Sequence, residues 1–472
     1  MQMNHINSLV AGVRIGSDKV FSVVNPYSKE TIAEVSITSE EQIAMAVSEA
    51  KREVQNLLPA YEIHSILMAA AQLIRQRSDD FIKTLVQETG FNVADARGEF
   101  SRGLDTLVTS AEEAKRLRGD TVPMNANPAQ DHRLALTIRV PVGVVCAITP
   151  FNSPFNAVMH KIGPALAGGN AVLLKPSEHA PLTSSLICDA LLDAGLPPAR
   201  ISLVNGGAEV GRALLAHQGI DFYTFTGSTA VGRIVQAGAG LRRTQLELGS
   251  IACTVVCGDA ELHRAIPKIA RASFRKAGQV CTSIQRLYVE RSIVSQVSKA
   301  LVQAAKEFKA GDPADPNTSL GPMISLKDTR RAHEWIEEAV HLGAKVECGG
   351  FIHEDILAAT VLSDVRPGMK VLEQEIFAPV VSIIPFDDLD QAIDAINAME
   401  FGLAVGIFTQ NIRDALAAAR KIRVGSVYIN DTSSSRTDSM PYGGVKASGF
   451  GREGPAYCIK EMTEERVIVF GD

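Results

Sequence analysis

The sequence predicts an α/β protein with two parallel-sheet units, on three observations. Short β-branched runs at 142–148, 171–174, 201–204 and 222–225 alternate with helical stretches, the pattern of parallel βαβ units. After Glu247 the alternation resumes, with runs at 252–256, 287–290, 380–384 and 427–429 and a long helical segment at 292–309. Two further strand-like runs, 134–140 (LALTIRV) and 465–470 (ERVIVF), stand outside both series. They suit edge strands, or arms that pair with another subunit.

The first third reads as helix-rich. Ser39 with Gln42 forms a capping box, after which Ile43, Ala46, Val47 and Ala50 share one helical face. A second amphipathic stretch spans 61–88 and stops at Gly90, a residue suited to a helix C-cap. No repeat or linker-like block interrupts the chain, and 431–439 (DTSSSRTDS) reads as a polar surface loop.

Composition narrows the function. At about 150 residues per domain, 472 residues leave room for about three domains. With 46% hydrophobic and 21% charged residues, disordered, collagen-like and coiled-coil classes are excluded. A net charge of −6 without a long basic run gives no footprint for nucleic acid or anionic lipid, so a small-molecule substrate is favoured. Apolar runs such as 142–148 fall far short of the roughly 20 residues of a membrane span, and the start of the chain lacks a signal-peptide pattern. A cytoplasmic protein is expected. Seven cysteines, at 146, 188, 253, 257, 281, 348 and 458, are odd in number and scattered, which points to reduced thiols. Cys253 and Cys257 lack a second ligand pair and the histidines do not cluster, so no metal is expected.

The G-x-G-x-x-G and P-loop fingerprints are both absent. Instead, the run 222–225 leads through Thr226-Gly227-Ser228 into a helical segment, where glycine and the first helical N–H groups suit a pyrophosphate, or an ordinary strand-to-helix turn. Lys175-Pro176-Ser177-Glu178 follows the run 171–174; its cation and acid suit a nucleotide's phosphate and ribose hydroxyls, or a solvated loop pair. Cys281 lies among small and polar neighbours (KAGQVCTS) that leave room for a substrate, whereas Cys146, Cys253 and Cys257 sit in apolar strand patterns. Glu247 ends a strand-like run, where desolvation would raise its pKa towards a general base's range; an outward position on an edge strand is the alternative. Asn152, in the proline-stiffened PFNSP loop, could aim an N–H at an oxyanion, although turns favour Asn in any case.

Taken in order, PFNSP (150–154), KPSE (175–178), FTGS (225–228), LELGS (246–250), GQVCTS (278–283), EIFAP (375–379), FGLAVGIFT (401–409) and PYGGVKASGFGREG (441–454) resemble the aldehyde dehydrogenase superfamily along nearly the whole chain. GQVCTSIQRLYV and DSMPYGG look most like the branch with lactaldehyde and phosphonoacetaldehyde dehydrogenases. The resemblance implies two doubly wound parallel-sheet units: an NAD(P)-binding domain (1–120 and 142–247) and a catalytic domain (248–450). A small β oligomerisation element (121–141 and 451–472) would join them, in a homodimer or homotetramer.

By the same resemblance, Cys281 would be the nucleophile, Glu247 the general base and Asn152 an oxyanion donor, with Lys161 and Glu464 relaying protons. Lys175 and Glu178 would hold the adenosine ribose, Gly227 and Ser228 the pyrophosphate, and Glu375 and Phe377 the nicotinamide riboside. The cofactor groove would be completed by Thr149, Pro150, Phe151 and Asn152, by Ser177, Gly207 and Gly211, by Phe225, Thr226 and Val231, and by Glu247, Leu248, Gly249 and Cys281. The activity implied is NAD(P)-dependent oxidation of a short polar or anionic aldehyde to its acid, through a thiohemiacetal and a thioester. Arg102 and Arg286 are candidate cations for an anionic substrate, although Arg286 also suits a structural place. Glu178 would repel a 2′-phosphate and favours NAD, while Lys175 leaves NADP open. A coenzyme A-acylating relative would lack the base that Glu247 supplies, and a silent binding relative would have no need of Cys281.

Overall fold

The computed structural model describes residues 4–471. Five parallel strands form the centre of an eight-stranded sheet, in the order Arg243–Glu247, Phe222–Thr226, Val144–Ile148, Ala171–Lys175, Ile201–Leu203. Antiparallel strands Ser8–Val10 and Val13–Ile15 extend one edge and Gly449–Phe450 the other. Alternate residues of the central strands point to opposite faces, and both faces are covered. Val145 and Ala147 join a buried cluster with helices Ala60–Gln76, Val93–Ala114 and Asn156–Ala167, whereas Val144 and Cys146 join one with Glu40–Glu53, Ala208–Ala216 and Thr229–Ala239. This is the doubly wound arrangement expected.

From Val144–Ile148 the chain steps outward through the next two strands, then returns to build Phe222–Thr226 on the opposite side. Connections diverge at that reversal, so the carboxyl ends of these two strands open a crevice. The second sheet has seven strands, ordered Lys345–Cys348, Thr360–Ser363, Val380–Phe386, Ile284–Glu290, Ala252–Val256, Ala404–Phe408, Ser426–Ile429, all parallel except the first. It too carries apolar clusters on both faces.

The two strands outside the series pair with each other: Thr463–Phe470 runs antiparallel to Leu134–Pro141 along its full length, with Thr121–Val122 on the far side.

Several expectations need correction. The stretch 61–88 is two helices, Ala60–Gln76 and Ser78–Thr89, broken where Arg77 leaves helical geometry at φ −99°, ψ 20°. Gly90 ends the second at φ 72°, and the Ser39–Gln42 capping box is present. Gly449–Phe450, placed by sequence in the second unit, pairs with Leu246 and Glu247 of the first sheet. Helix Pro455–Glu461, placed in the oligomerisation element, buries Cys458 and Ile459 in the first unit's core. Loop 431–439 is not merely surface: Thr432 and Ser433 are buried, and Arg436 and Asp438 turn inward onto His160. Among the described residues, no helix is long and apolar enough to cross a membrane, and no cluster of metal-ligating side chains occurs.

Candidate active site

The crevice at the strand reversal opens into a cleft of about 760 Å³, lined by the turns after Val144–Ile148, Ala171–Lys175, Phe222–Thr226 and Arg243–Glu247 and by the Cys281 and Glu375 loops of the second unit. Every cofactor residue expected from the sequence lines this one cleft, as do Cys281, Glu247 and Asn152.

Backbone geometry sets the Cys281 loop. Lys276, Ala277 and Gly278 run consecutively in the left-handed region, at φ 51°, 52° and 69°, turning the chain sharply before strand Ile284–Glu290. At Gly278 the turn demands glycine, because a Cβ would stand 2.0 Å from the Ala378 carbonyl oxygen. Lys276 then reaches back to tie the two loops together: Nζ contacts Glu99 Oε2 at 2.5 Å and donates to Asn152 O at 2.8 Å. Glu99 Oε1 accepts from the backbone N–H groups of Phe155 and Asn156, fixing the far end of the Asn152 loop. Asn152 Nδ2 donates to Gln279 O at 2.9 Å. That bond uses one amide hydrogen, leaving the other for a ligand. None of the described residues accepts from the Cys281 N–H, so a second donor is available beside it.

Cys281 is half-buried, and its Sγ lies 3.3 Å from Tyr442 Oη. Burial pushes the thiol up to about 11, opposed by the Tyr442 hydrogen bond and aided by the carboxylates of Glu247 and Glu375. Glu247 is 3% exposed and its Oε1 has no hydrogen-bond partner. Burial, and then the charge of Glu453, hold its carboxyl well above the ordinary carboxylate range. An unpartnered, desolvated carboxylate oxygen has the properties of a base awaiting a proton. Burial likewise pushes Glu375 up to about 7, against the Ser250 N–H that its Oε1 accepts at 2.8 Å.

Behind these groups lies a buried chain of charges. Lys161 Nζ contacts Glu453 Oε1 at 3.1 Å, and Arg436 donates to Glu453 Oε2 at 3.0 Å. Asp438 accepts a bidentate pair from Arg102 at 2.9 and 2.7 Å and lies 2.9 Å from His160 Nε2. Glu464, expected with Lys161 to relay protons, is exposed on the outer strand, paired with Val140; the carboxylate facing Lys161 is Glu453. Arg286 donates to the Leu372 carbonyl outside the cleft. Arg102 does line it, together with Arg275 and Arg436, which sequence reading missed. Arg275 donates to Ser434 Oγ at 3.0 Å, and no carboxylate of the described residues forms an ion pair with it.

The opposite arm of the cleft is shaped for an extended polar ligand. Ser228 caps helix Thr229–Ala239, whose first turn faces the cleft. The Glu178 carboxylate lies over Gly207, where a Cβ would stand 2.6 Å from Oε1. Lys175 is buried beneath, and Arg212, unforeseen in the sequence, adds an exposed cation. Thr149 Oγ1 and Thr226 Oγ1 are buried without partners. Exposed Val231 and Ile234 supply an apolar wall at the entrance, and Phe151 meets Phe377 edge-on at 6.1 Å. Unsatisfied hydroxyls, a helix N-terminus and an acid set over a glycine together fit the phosphates and ribose of a dinucleotide.

Comparison with known proteins gives the family. The aldehyde dehydrogenase family model matches residues 14–468. The chain is 45% identical over 448 residues to 3-sulfolactaldehyde dehydrogenase of Priestia aryabhattai, covering 95% of this chain and 94% of that one. Aldehyde dehydrogenase 21 of Physcomitrella patens, solved in complex with the reaction product succinate, superposes with a TM-score of 0.97 at 32% identity, covering 100% of this chain and 99% of that one. Glyceraldehyde-3-phosphate dehydrogenase GapN of Methanocaldococcus jannaschii, complexed with NADP, superposes at 0.92 with 34% identity, covering 97% of this chain and 100% of that one. A match over this much of the chain, on a cleft that gathers the expected thiol, acid and amide, makes the protein a member of the aldehyde dehydrogenase family.

Proposed function

We propose that the protein oxidises a short anionic aldehyde to its carboxylic acid, with NAD(P) as the hydride acceptor and Cys281 as the nucleophile. The observation that carries this reading is the convergence of Cys281, the unpartnered Glu247 and Asn152 in one cleft with the cation Arg275. The Cys281 thiolate adds to the carbonyl carbon, and the free Asn152 Nδ2 hydrogen and the Cys281 N–H hold the oxyanion. As that oxyanion collapses to a thioester it expels hydride, for which NAD(P) in the cleft would supply the acceptor. Glu247 then takes a proton from water, which attacks the thioester and releases the acid and the thiolate. Lys161 and Glu453, paired at 3.1 Å, act on Glu247 through their charges.

Ser228, Lys175, Glu178, Glu375 and Phe377 are the groups that would hold the dinucleotide. Glu178 favours NAD, with NADP admitted by Lys175 and Arg212. Arg275, with Arg102 and Arg436 beside it, supports an anionic substrate, in keeping with the sulfonated aldehyde, the succinate and the phosphorylated aldehyde of the three relatives.

The test is a panel of sulfonated, carboxylated, phosphorylated and neutral aldehydes with each cofactor, followed by nicotinamide absorbance. Cys281→Ala should abolish turnover. Glu247→Gln should give one equivalent of reduced cofactor and then stall as the thioester. Continued oxidation in Cys281→Ala, or acid released at the normal rate by Glu247→Gln, would refute the mechanism. Equal efficiency for neutral and anionic aldehydes would refute the substrate class.

A further inference from the structure

Tyr442 is 3% exposed, and its hydroxyl makes a single hydrogen bond, to Cys281 Sγ at 3.3 Å. A buried phenol needs an acceptor for its proton, and the sulfur is the acceptor in reach. A thiol accepts weakly; a thiolate accepts strongly, through a charge-assisted bond. On the other side of the ring the Arg436 guanidinium stacks 3.7 Å from the centroid, held by Glu453 at 3.0 Å and in contact with His160 Nε2 at 2.8 Å. A cation on the ring face withdraws electron density and makes the hydroxyl a stronger donor.

We infer that Tyr442 is the donor that stabilises and aims the reactive Cys281 thiolate, with Arg436 stacked behind it as electrostatic support. The inference rests on Cys281 being the nucleophile. The groups that bear on the sulfur are Tyr442, Arg436 and Arg275, which favour its charge, and Glu247 and Glu375, which oppose it; Tyr428 also responds to that charge. With two carboxylates and burial set against the thiolate, removing the one hydroxyl that touches the sulfur makes the anion scarcer. When the sulfur adds to a carbonyl its charge moves to the carbonyl oxygen, so the phenol acts before and during addition and has little to stabilise in the thioester.

The experiment uses the full chain without substrate. Carbamidomethylation of Cys281 by iodoacetamide is followed against pH by peptide mass spectrometry; the thiolate attacks carbon and iodide leaves. Tyr442→Phe should move the midpoint up by about one pH unit, so that at a pH below both midpoints alkylation is about tenfold slower. 3-Fluorotyrosine incorporated throughout the wild-type chain, a stronger donor at the same place, should move the midpoint down. That readout keeps the inference testable should Tyr442→Phe fold poorly. A midpoint unmoved by either change overturns the role of Tyr442. Aldehyde oxidation that survives Cys281→Ala would instead overturn the mechanism on which it rests, so the two failures are told apart.

Discussion

Lys276→Met deletes one charge while keeping the aliphatic stem, and it tests whether the loops carrying Cys281 and Asn152 are held together by a buried ion pair. The substitution removes the 2.5 Å contact to Glu99, the 2.8 Å bond to Asn152 O and the cation 4.5 Å above the Phe91 ring. Glu99 is left as a buried carboxylate without its ion-pair partner. Breaking such a pair from one side costs about 3–5 kcal/mol. At roughly 2–4 °C per kcal/mol for a domain of about 200 residues, the melting temperature should fall by about 10 °C. A loop released by even about 1 Å also costs kcat roughly a hundredfold. Lys276→Met/Glu99→Gln should recover more than half of the lost melting temperature, because the amide oxygen still accepts from Phe155 and Asn156 without a charge to bury. The pH dependence has a definite sign. Burial alone would raise the Glu99 carboxyl, but Lys276, with the Asn156 N–H and Arg102, outweighs it and holds the group below its ordinary value. Wild-type stability from this group is therefore lost as pH falls through the lowered value. In Lys276→Met burial wins, and stability from the same group is lost as pH rises, so the gap between the two proteins widens with pH. Thermal melts by circular dichroism and steady-state rates across pH decide it; a single variant melting within about 2 °C of wild type, or a gap that narrows with pH, refutes the reasoning.

Gly278→Ala should lower kcat at least about tenfold, because the new Cβ would stand 2.0 Å from Ala378 O at a positive φ; unchanged rates would mean the turn relaxes freely. Glu178→Gln should lower KM for NADP about fivefold while moving KM for NAD little, the worth of one exposed like-charge contact; an unchanged cofactor ratio would show that the carboxylate does not face the 2′ position. Arg275→Met should raise KM for an anionic aldehyde about a hundredfold and leave a neutral one of equal length nearly untouched, as the loss of a charge-assisted contact requires. Because Glu247 must be ionised to act and its pKa is raised, hydrolysis of the acyl-enzyme should climb tenfold per pH unit below that pKa; a flat profile there in single-turnover hydrolysis would exclude Glu247 as the base.

The parallel strands were legible because each is a short apolar run of β-branched residues between turn signals, and burial on both faces enforces that composition. The turns that follow carry Asn152, Lys175, Ser228 and Glu247, so reading the strands also located the cleft. Strands such as Ser8–Val10 and Val20–Val24 were missed, being three to five residues long and formed by pairing with distant segments. Arg77 carries no Gly or Pro to announce its helix break. Within the site the failures at Arg436 and Asp438 share one cause. Arg436 and Asp438 sit in a polar tract whose composition matches any solvated loop, and only tertiary contacts with His160, Arg102 and Glu453 make it interior. Glu453 was within reach, lying in the GREG motif, but two carboxylates near the end of the chain look alike until one is seen facing Lys161.

That interior placement needs a reason, because buried ion pairs are poor stabilisers and apolar replacements are often neutral or better. Lys161, Glu453, Arg436, Asp438 and Arg102 come from two helices, a loop and a turn, so no single element requires them. Each carboxylate of the set is matched by cations: Glu453 by Lys161 and Arg436, Asp438 by Arg102. Glu247, beside them, is the acid whose oxygen is left without a hydrogen bond. A packed apolar wall would leave Glu247 merely desolvated and protonated at neutral pH. Here burial, and then Glu453, raise its pKa, while the neighbouring cations Arg436, Lys161 and Arg452 oppose that rise. Opposing charges around one open oxygen keep a buried acid able both to take and to release a proton, which hydrolysis of a thioester demands and structural stability alone does not.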